Sequence, residues 1–310
     1  MYQLPPQYPS ISNDDFSTNV GKSHQNQENT VLMFLTSCSN ADRIVDKNRL
    51  RPGDYRLFQG TPVWMLAKSA YNDDLAAVKK ILAEKPDLAN VQDSVYGNTI
   101  LMMAIINQDY DLFKLLIDNG AEINYHNRFG GDSPLIVACS FRENNPIFVK
   151  DLIENGASVN DTTRSLPMAQ ASPLMAAAGC GNVSIARYLL EQGADVNYKN
   201  NFGTTVLGQS ILTKHYNVAL VLLNNGADFS SPICNTLDEY GKSTVPTNLQ
   251  TALRDGMIDI GTSEYFDKRK IITFLKTRGI DYDTVPIPDY VVERAKENYP
   301  LFWKVYLQLY

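Results

Sequence analysis

Cysteine, histidine and tryptophan are scarce in this chain, with four, three and two copies among 310 residues. Cys38, Cys139, Cys180 and Cys234 form no Cys-x-x-Cys pair, so neither a disulfide framework nor a zinc site is indicated. His24, His126 and His215 are widely separated, and general-base or metal chemistry needs convergent partners that the sequence does not place beside them. Excess positive charge is also missing. Twenty-eight Lys and Arg against 34 Asp and Glu leave a net charge of −6. That balance argues against a nucleic-acid partner, whose phosphates need a dense basic surface, and gives no electrostatic attraction to an anionic membrane. The apolar run at 31–35 is far too short to span a bilayer, and the start of the chain lacks the basic-then-apolar order of a signal peptide. A reducing, cytoplasmic location is expected.

The signatures of several enzyme classes are absent too. No nucleophile elbow, His-Glu-x-x-His or kinase motif occurs. Gly-Lys-Ser appears at 21–23 and 241–243, but a phosphate-binding loop also needs glycine five residues earlier and a strand leading in. Phe16 and Thr236 stand at those positions. Both tripeptides read as polar loops. No catalytic residue, metal or cofactor is expected.

What the chain does contain is a repeat. Gly-Ala pairs begin at Gly120, Gly156, Gly193 and Gly226, at intervals of 36, 37 and 33 residues. Most are followed by a small or acidic residue, an apolar residue and asparagine, as in Glu122-Ile123-Asn124, Ser158-Val159-Asn160 and Asp195-Val196-Asn197. Upstream stand Thr99, Ser133, Ser172 and Thr205, at 21, 23, 21 and 21 residues from the corresponding glycine, with leucine two positions after each. A hydroxyl at that point can cap a first helix, and proline at 134 and 173 suits its first turn. Small residues at Ala104, Ala138 and Ala177 permit close helix approach, and each glycine can end a second helix in the left-handed conformation. The second helices carry helically spaced apolar residues: Leu112, Leu115 and Leu116; Phe148, Leu152 and Ile153; Ile185, Leu189 and Leu190; Val218, Leu222 and Leu223. No single unit can bury such a face, so neighbouring units must stack.

These linked motifs resemble those of the ankyrin-repeat family over about 60–283, most closely over 96–230. The resemblance implies an all-α solenoid of stacked helix-turn-helix units, with β-hairpin-like fingers and a non-catalytic role in binding a protein partner through its concave face and fingers. It also brings two alternatives: a host-targeted bacterial effector, working in a host cell cytosol with a cryptic activity in its terminal segments, and a substrate for asparagine hydroxylation at Asn124, Asn160 and Asn197. The family's histidine after leucine is replaced by Met102, Ile136, Met175 and Gly208. Gly208 is expected to cost about 1 kcal/mol of helix propensity. Cys139 and Cys180 should be buried small residues.

The domain reading is a disordered leader at 1–30, an N-terminal capping segment at 31–59, about six repeats at 60–283 with the first and last degenerate, and a helical cap at 284–310. Extra residues are expected between helices around 144–146 and within the finger at 161–170, and 231–247 reads as a long polar loop. In the tail, Leu301, Phe302, Val305, Tyr306 and Leu309 are expected to seal the end of the stack, with Pro300 in the first turn of a short last helix. A monomer is expected. Two fingers match closely, Asn124-Tyr125-His126-Asn127-Arg128-Phe129-Gly130 and Asn197-Tyr198-Lys199-Asn200-Asn201-Phe202-Gly203, and Tyr96 precedes Gly97 in a third. Aromatic and basic side chains recurring at one place in a repeat have the composition of interaction hot spots. The candidate partner-binding residues are therefore Tyr96, Tyr125, His126, Arg128, Phe129, Tyr198, Lys199 and Phe202.

Overall fold

The structure, a computed structural model, describes residues 43–141, 146–164, 170–237 and 244–310. The expectations for the leader, for residues 31–42 including Cys38, for the extra residues at 142–145 and for both Gly-Lys-Ser tripeptides lie outside these residues. Six helix pairs follow one another: α1 Trp64–Tyr71 and α2 Leu75–Glu84, α3 Ile100–Ile106 and α4 Tyr110–Asp118, α5 Pro134–Cys139 and α6 Pro146–Glu154, α7 Pro173–Cys180 and α8 Val183–Glu191, α9 Val206–Leu212 and α10 Tyr216–Asn224, α11 Leu249–Asp255 and α12 Ser263–Lys276. First helices pack on first helices, α3 on α5, α5 on α7, α7 on α9 and α9 on α11. Second helices do likewise, from α2 and α4 to α10 and α12. The result is two parallel layers sharing one continuous apolar core from Tyr55 to Tyr282.

Local chemistry accounts for the helix boundaries. Thr99, Ser172 and Thr205 accept hydrogen bonds at their hydroxyls from the backbone N–H groups of Met102, Met175 and Gly208. Ser133 departs from this rule. Its hydroxyl is buried without a hydrogen-bond partner, and α5 is started instead by Pro134 and by the Val137 N–H donating to the Ser133 carbonyl. The second helices use their own caps, Asp74, Asp109 and Asn182, each accepting from the N–H three residues on. Gly120, Gly156, Gly193 and Gly226 all adopt positive φ, between 85° and 96°.

The central first helices are almost entirely submerged: every residue of α5, and all of α3 except Ile106, is buried, whereas α1 exposes Met65 and α9 exposes Leu212. Cys139 and Cys234 are buried, and Cys180 is half-buried with its thiol donating to the Ser140 carbonyl. Before the first pair, Tyr55, Leu57 and Phe58 in a 3-10 turn cover the start of the core.

Three expectations need correction. The stretch 231–247 is more than a polar loop: β1 Cys234–Leu237 and β2 Thr244–Thr247 pair antiparallel, with Cys234 opposite Thr247. Ile233, Cys234 and Thr247 are buried at the base of this ribbon, which anchors it. Pro300 stands before the last helix, α14 Trp303–Leu309, whose N-cap is Phe302. Most importantly, Leu301, Phe302, Val305 and Leu309 are exposed, and of the five residues expected to seal the stack only Tyr306 is buried. The end is closed by α13 Asp289–Asn298 and α14 through a separate small core of Val291, Ala295, Tyr306 and Tyr310, supported by Trp303 and Leu307.

Candidate functional site

The fingers between successive helix pairs are built on a repeated turn. Asp93, Asn127 and Asn200 occupy its centre, each buried. The Asp93 carboxylate accepts from the N–H groups of Val95, Tyr96 and Asn98. Asn200 Oδ1 does the same for Phe202 and Thr204, at 3.0 and 2.9 Å, and Asn127 Oδ1 for Asp132 at 3.1 Å. Fixing the turn from inside forces the intervening residues outward. Desolvation raises the Asp132 carboxyl beside this turn to about 6, partly offset by its hydrogen bond with Asn127.

Neighbouring fingers are then tied together in two rows. At the finger bases, asparagine side chains bridge repeats. Asn90 Oδ1 accepts from Glu122 N–H, Asn124 from Ser158, Asn160 from Asp195 and Asn197 from Asp228, at 2.8 to 3.1 Å. Asn124 and Asn160 also donate to the carbonyls of Gly156 and Gly193. The asparagines weighed as hydroxylation sites are thus exposed structural rungs. Nearer the tips, Arg164 N–H donates to the Gly131 carbonyl, Gln170 N–H to Asn201 Oδ1, and Asn235 Nδ2 to the Phe202 carbonyl. A Cβ on Gly97, whose φ is +73°, would stand 2.6 Å from the Arg128 nitrogen, so only glycine lets the first and second fingers meet.

On this scaffold the eight candidate side chains divide. Tyr96 donates its hydroxyl to the Leu50 carbonyl at 2.8 Å, and Tyr198 donates to the Gln170 carbonyl at 3.3 Å. Both rings are half-buried, as is Tyr125. His126 is turned inward: its Nε2 lies 3.0 Å from Asp161 Oδ2, and both side chains are largely covered. That pair joins one finger to the next, through an acid in the segment that the sequence shows only as an insertion. Arg128, Phe129, Lys199 and Phe202 remain exposed at the tips. Phe129 and Phe202, at matching positions, are 48% and 47% exposed.

Sequence reasoning missed the buried centre of each turn and the His126–Asp161 pair. The recurrence of Asp93, Asn127 and Asn200 four or more residues before a threonine or serine was the available signal for the first. Nothing marked the second. Among the described residues no group of three or more His, Cys, Asp or Glu is placed to hold a metal, and no helix is long and apolar enough to cross a membrane.

Comparison with known proteins agrees with this architecture. The family profile described as ankyrin repeats, in three copies, matches residues 64–163 and 142–232. Ankyrin repeat and SOCS box protein 6 of Homo sapiens is 33% identical over 119 residues, which is 38% of this chain and 28% of that protein. Putative ankyrin repeat protein FPV031 of Fowlpox virus is 28% identical over 205 residues, covering 63% of this chain and 57% of the relative. Alpha-latrocrustotoxin-Lt1a of Latrodectus tredecimguttatus is 29% identical over 142 residues, 46% of this chain and 10% of the toxin. The chain therefore spans between a tenth and just over half of the length of these relatives. With more than half of its residues matched by the profile, and with helix pair, finger and glycine stop recurring in register, the chain belongs to the ankyrin-repeat family.

Proposed function

We propose that this chain is a non-catalytic protein-binding scaffold whose partner docks on the row of finger tips. The observation that carries this reading is the matched, half-exposed placement of Phe129 and Phe202 on turns whose backbone is already fixed from within. A hydrophobic ring held open on a rigid support loses little entropy on binding, which is what an anchor residue requires. Arg128 and Lys199 add exposed positive charge at the same level, and they favour an acidic or phosphorylated patch on the partner. With α3 and α5 submerged, the tips carry the exposed aromatic and basic side chains beside them.

Tyr96, Tyr198 and His126 contribute differently: they brace the tips through contacts within the stack, and the half-buried rings of Tyr96, Tyr125 and Tyr198 complete the surface. The test is a Phe129→Ala, Phe202→Ala double variant in affinity capture from native extract. A specific partner should be lost, because each strong anchor is worth roughly 2 kcal/mol or more. The melting temperature should stay within a few degrees of the parent. A variant that keeps the partner but melts far lower would show that the rings only pack finger on finger.

A further inference from the structure

A second surface lies at the far end of the molecule. Between α14 and the segment that leads into α12 runs an open groove of about 520 Å³, lined by Asp259, Ile260, Tyr299, Phe302, Val305 and Tyr306. Leu301 is 86% and Phe302 66% exposed, and Val305, Leu309 and Ile260 are exposed beside them. Val305 and Leu309 are four residues apart on one side of α14, and the N-cap Phe302 stands three residues before Val305 and lines the groove with it. The other wall is held in place: Tyr265 donates its hydroxyl to the Leu309 carbonyl at 3.3 Å, and Tyr306 donates to the Ile258 carbonyl at 2.9 Å. Buried Tyr306 and Tyr310, on the adjoining side of α14, hold the helix on the cap core, and Tyr306 also walls the groove. Phe302, Val305 and Leu309 are left outside by a helix whose position is otherwise fixed.

Among the described residues, the one charged residue that lines this groove is an acid, Asp259, whose carboxylate accepts a hydrogen bond from the Tyr299 hydroxyl. Exposed Glu264 stands in the first turn of α12. Lys296 and Lys304 lie over the Trp303 ring, which packs on the cap core, Lys268 is buried against Tyr310, and Lys214 donates to the Met257 carbonyl, so none of these four lines the groove. We propose that the groove docks an amphipathic helix of a partner protein, one that carries basic residues beside its apolar stripe. A helix laid along α14 would bury Phe302, Val305 and Leu309 in apolar positions at the same spacing and bring its cations to Asp259 and Glu264. A second copy of this chain fits less well. A two-fold contact would set Asp259 and Glu264 against their own copies, and a handful of half-exposed side chains falls short of the roughly 800 Å² per partner of a stable interface. An anionic bilayer is repelled by the same carboxylates.

The experiment uses the full chain and two fluorescently labelled model helices, identical in their leucine stripe, one flanked by lysine and the other by glutamate. Anisotropy titration should show the lysine helix binding at least about tenfold more tightly, the ratio expected for complementary against like charge at a rim. Phe302→Ser with Val305→Ser should weaken it by about thirtyfold or more, the equivalent of a hot-spot contact. Asp259→Asn should narrow the preference for lysine. The Phe129→Ala, Phe202→Ala variant should bind as the parent does, which separates this surface from the finger tips. Because both serines replace exposed side chains, the far-ultraviolet spectrum and melting temperature should be unchanged. Equal binding of both helices, or binding untouched by the serine pair, would overturn the proposal. So would a concentration-dependent dimer, or sedimentation with phosphatidylserine vesicles, that the serine pair abolishes.

Discussion

The stack of repeats and its C-terminal end are joined by different chemistry. Between repeats, the contacts are mostly aliphatic side chains and small residues in register, with an asparagine amide bridging each finger base to the next. An aromatic cluster of Tyr110, Phe113 and Phe148 lies between α4 and α6, and an exposed Lys150 lies over the Tyr188 ring. At the end, α11 and α12 meet the cap through two buried cations and a group of tyrosines. Arg254 lies over the Tyr282 ring, 3.9 Å from its centroid, and donates to the carbonyls of Val285 and Tyr282. Lys268, only 2% exposed, sits 3.8 Å from the centroid of the Tyr310 ring and donates to the Gly256 carbonyl. Tyr310 closes the arrangement by donating to the Arg254 carbonyl. The first kind of interface can be repeated without limit. Among the described residues the second, with its buried cations, occurs once, and it carries a desolvation cost that the first avoids.

Replacing the buried ammonium sharpens that contrast most. Burial, with Arg254, Lys214 and Arg269 adding like charge, pushes Lys268 from 10.5 down to about 7. A cation whose folded pKa is lowered destabilises the fold fully below about pH 7, and the penalty fades as pH rises toward 10.5. Lys268→Met should therefore stabilise the cap by about 1–4 kcal/mol at pH 6, as replacement of buried charge by apolar volume commonly does. The gain should shrink at pH 10. Melting followed by tyrosine fluorescence at the two pH values measures it, and a loss at both would mean that the cation–ring contact outweighs desolvation.

Within the stack, Gly208 gives a test of sign. Helix propensity alone predicts that alanine there would add about 1 kcal/mol of stability. The structure predicts the reverse. A Cβ at 208 would stand 2.1 Å from the Ile233 carbonyl oxygen, where the base of the β1–β2 ribbon lies on α9 and accepts from Thr205 N–H. Gly208→Ala should cost about 1–3 kcal/mol, as overpacking does, in a chemical denaturation midpoint.

Gly208 also shows how much the sequence revealed. The repeat register, the caps at Thr99, Ser172 and Thr205 and the glycine stops were legible because each is a local solution used several times. Why glycine replaces the family's histidine was not, since the reason is a backbone segment 25 residues away. Asp73, Gln108 and Lys214 take positive φ at the turn between paired helices, where only Gly181 announces the conformation by its identity. The cap was misread for a further reason. Its last helix has apolar residues on nearly every side, so periodicity could not choose between burying Phe302 with Val305 and burying Tyr306 with Tyr310. Of the candidate site, recurrence singled out Phe129 and Phe202. It could not separate them from Tyr96, Tyr198 and His126, whose polar atoms are engaged inside the stack.

Hydrogen exchange on the intact chain tests most directly whether the fingers are a rigid row, carried by a stack that coheres independently of its end. The backbone amides of Ser158, Asp195 and Asp228 belong to exposed residues, yet each donates to an asparagine of the preceding finger. They should exchange slowly, together with the core amides of α5 to α10, while the amides of α13 and α14 exchange faster through a separate, smaller opening. Fast exchange at Ser158, Asp195 and Asp228, with the cap protected as strongly as α7, would contradict the account.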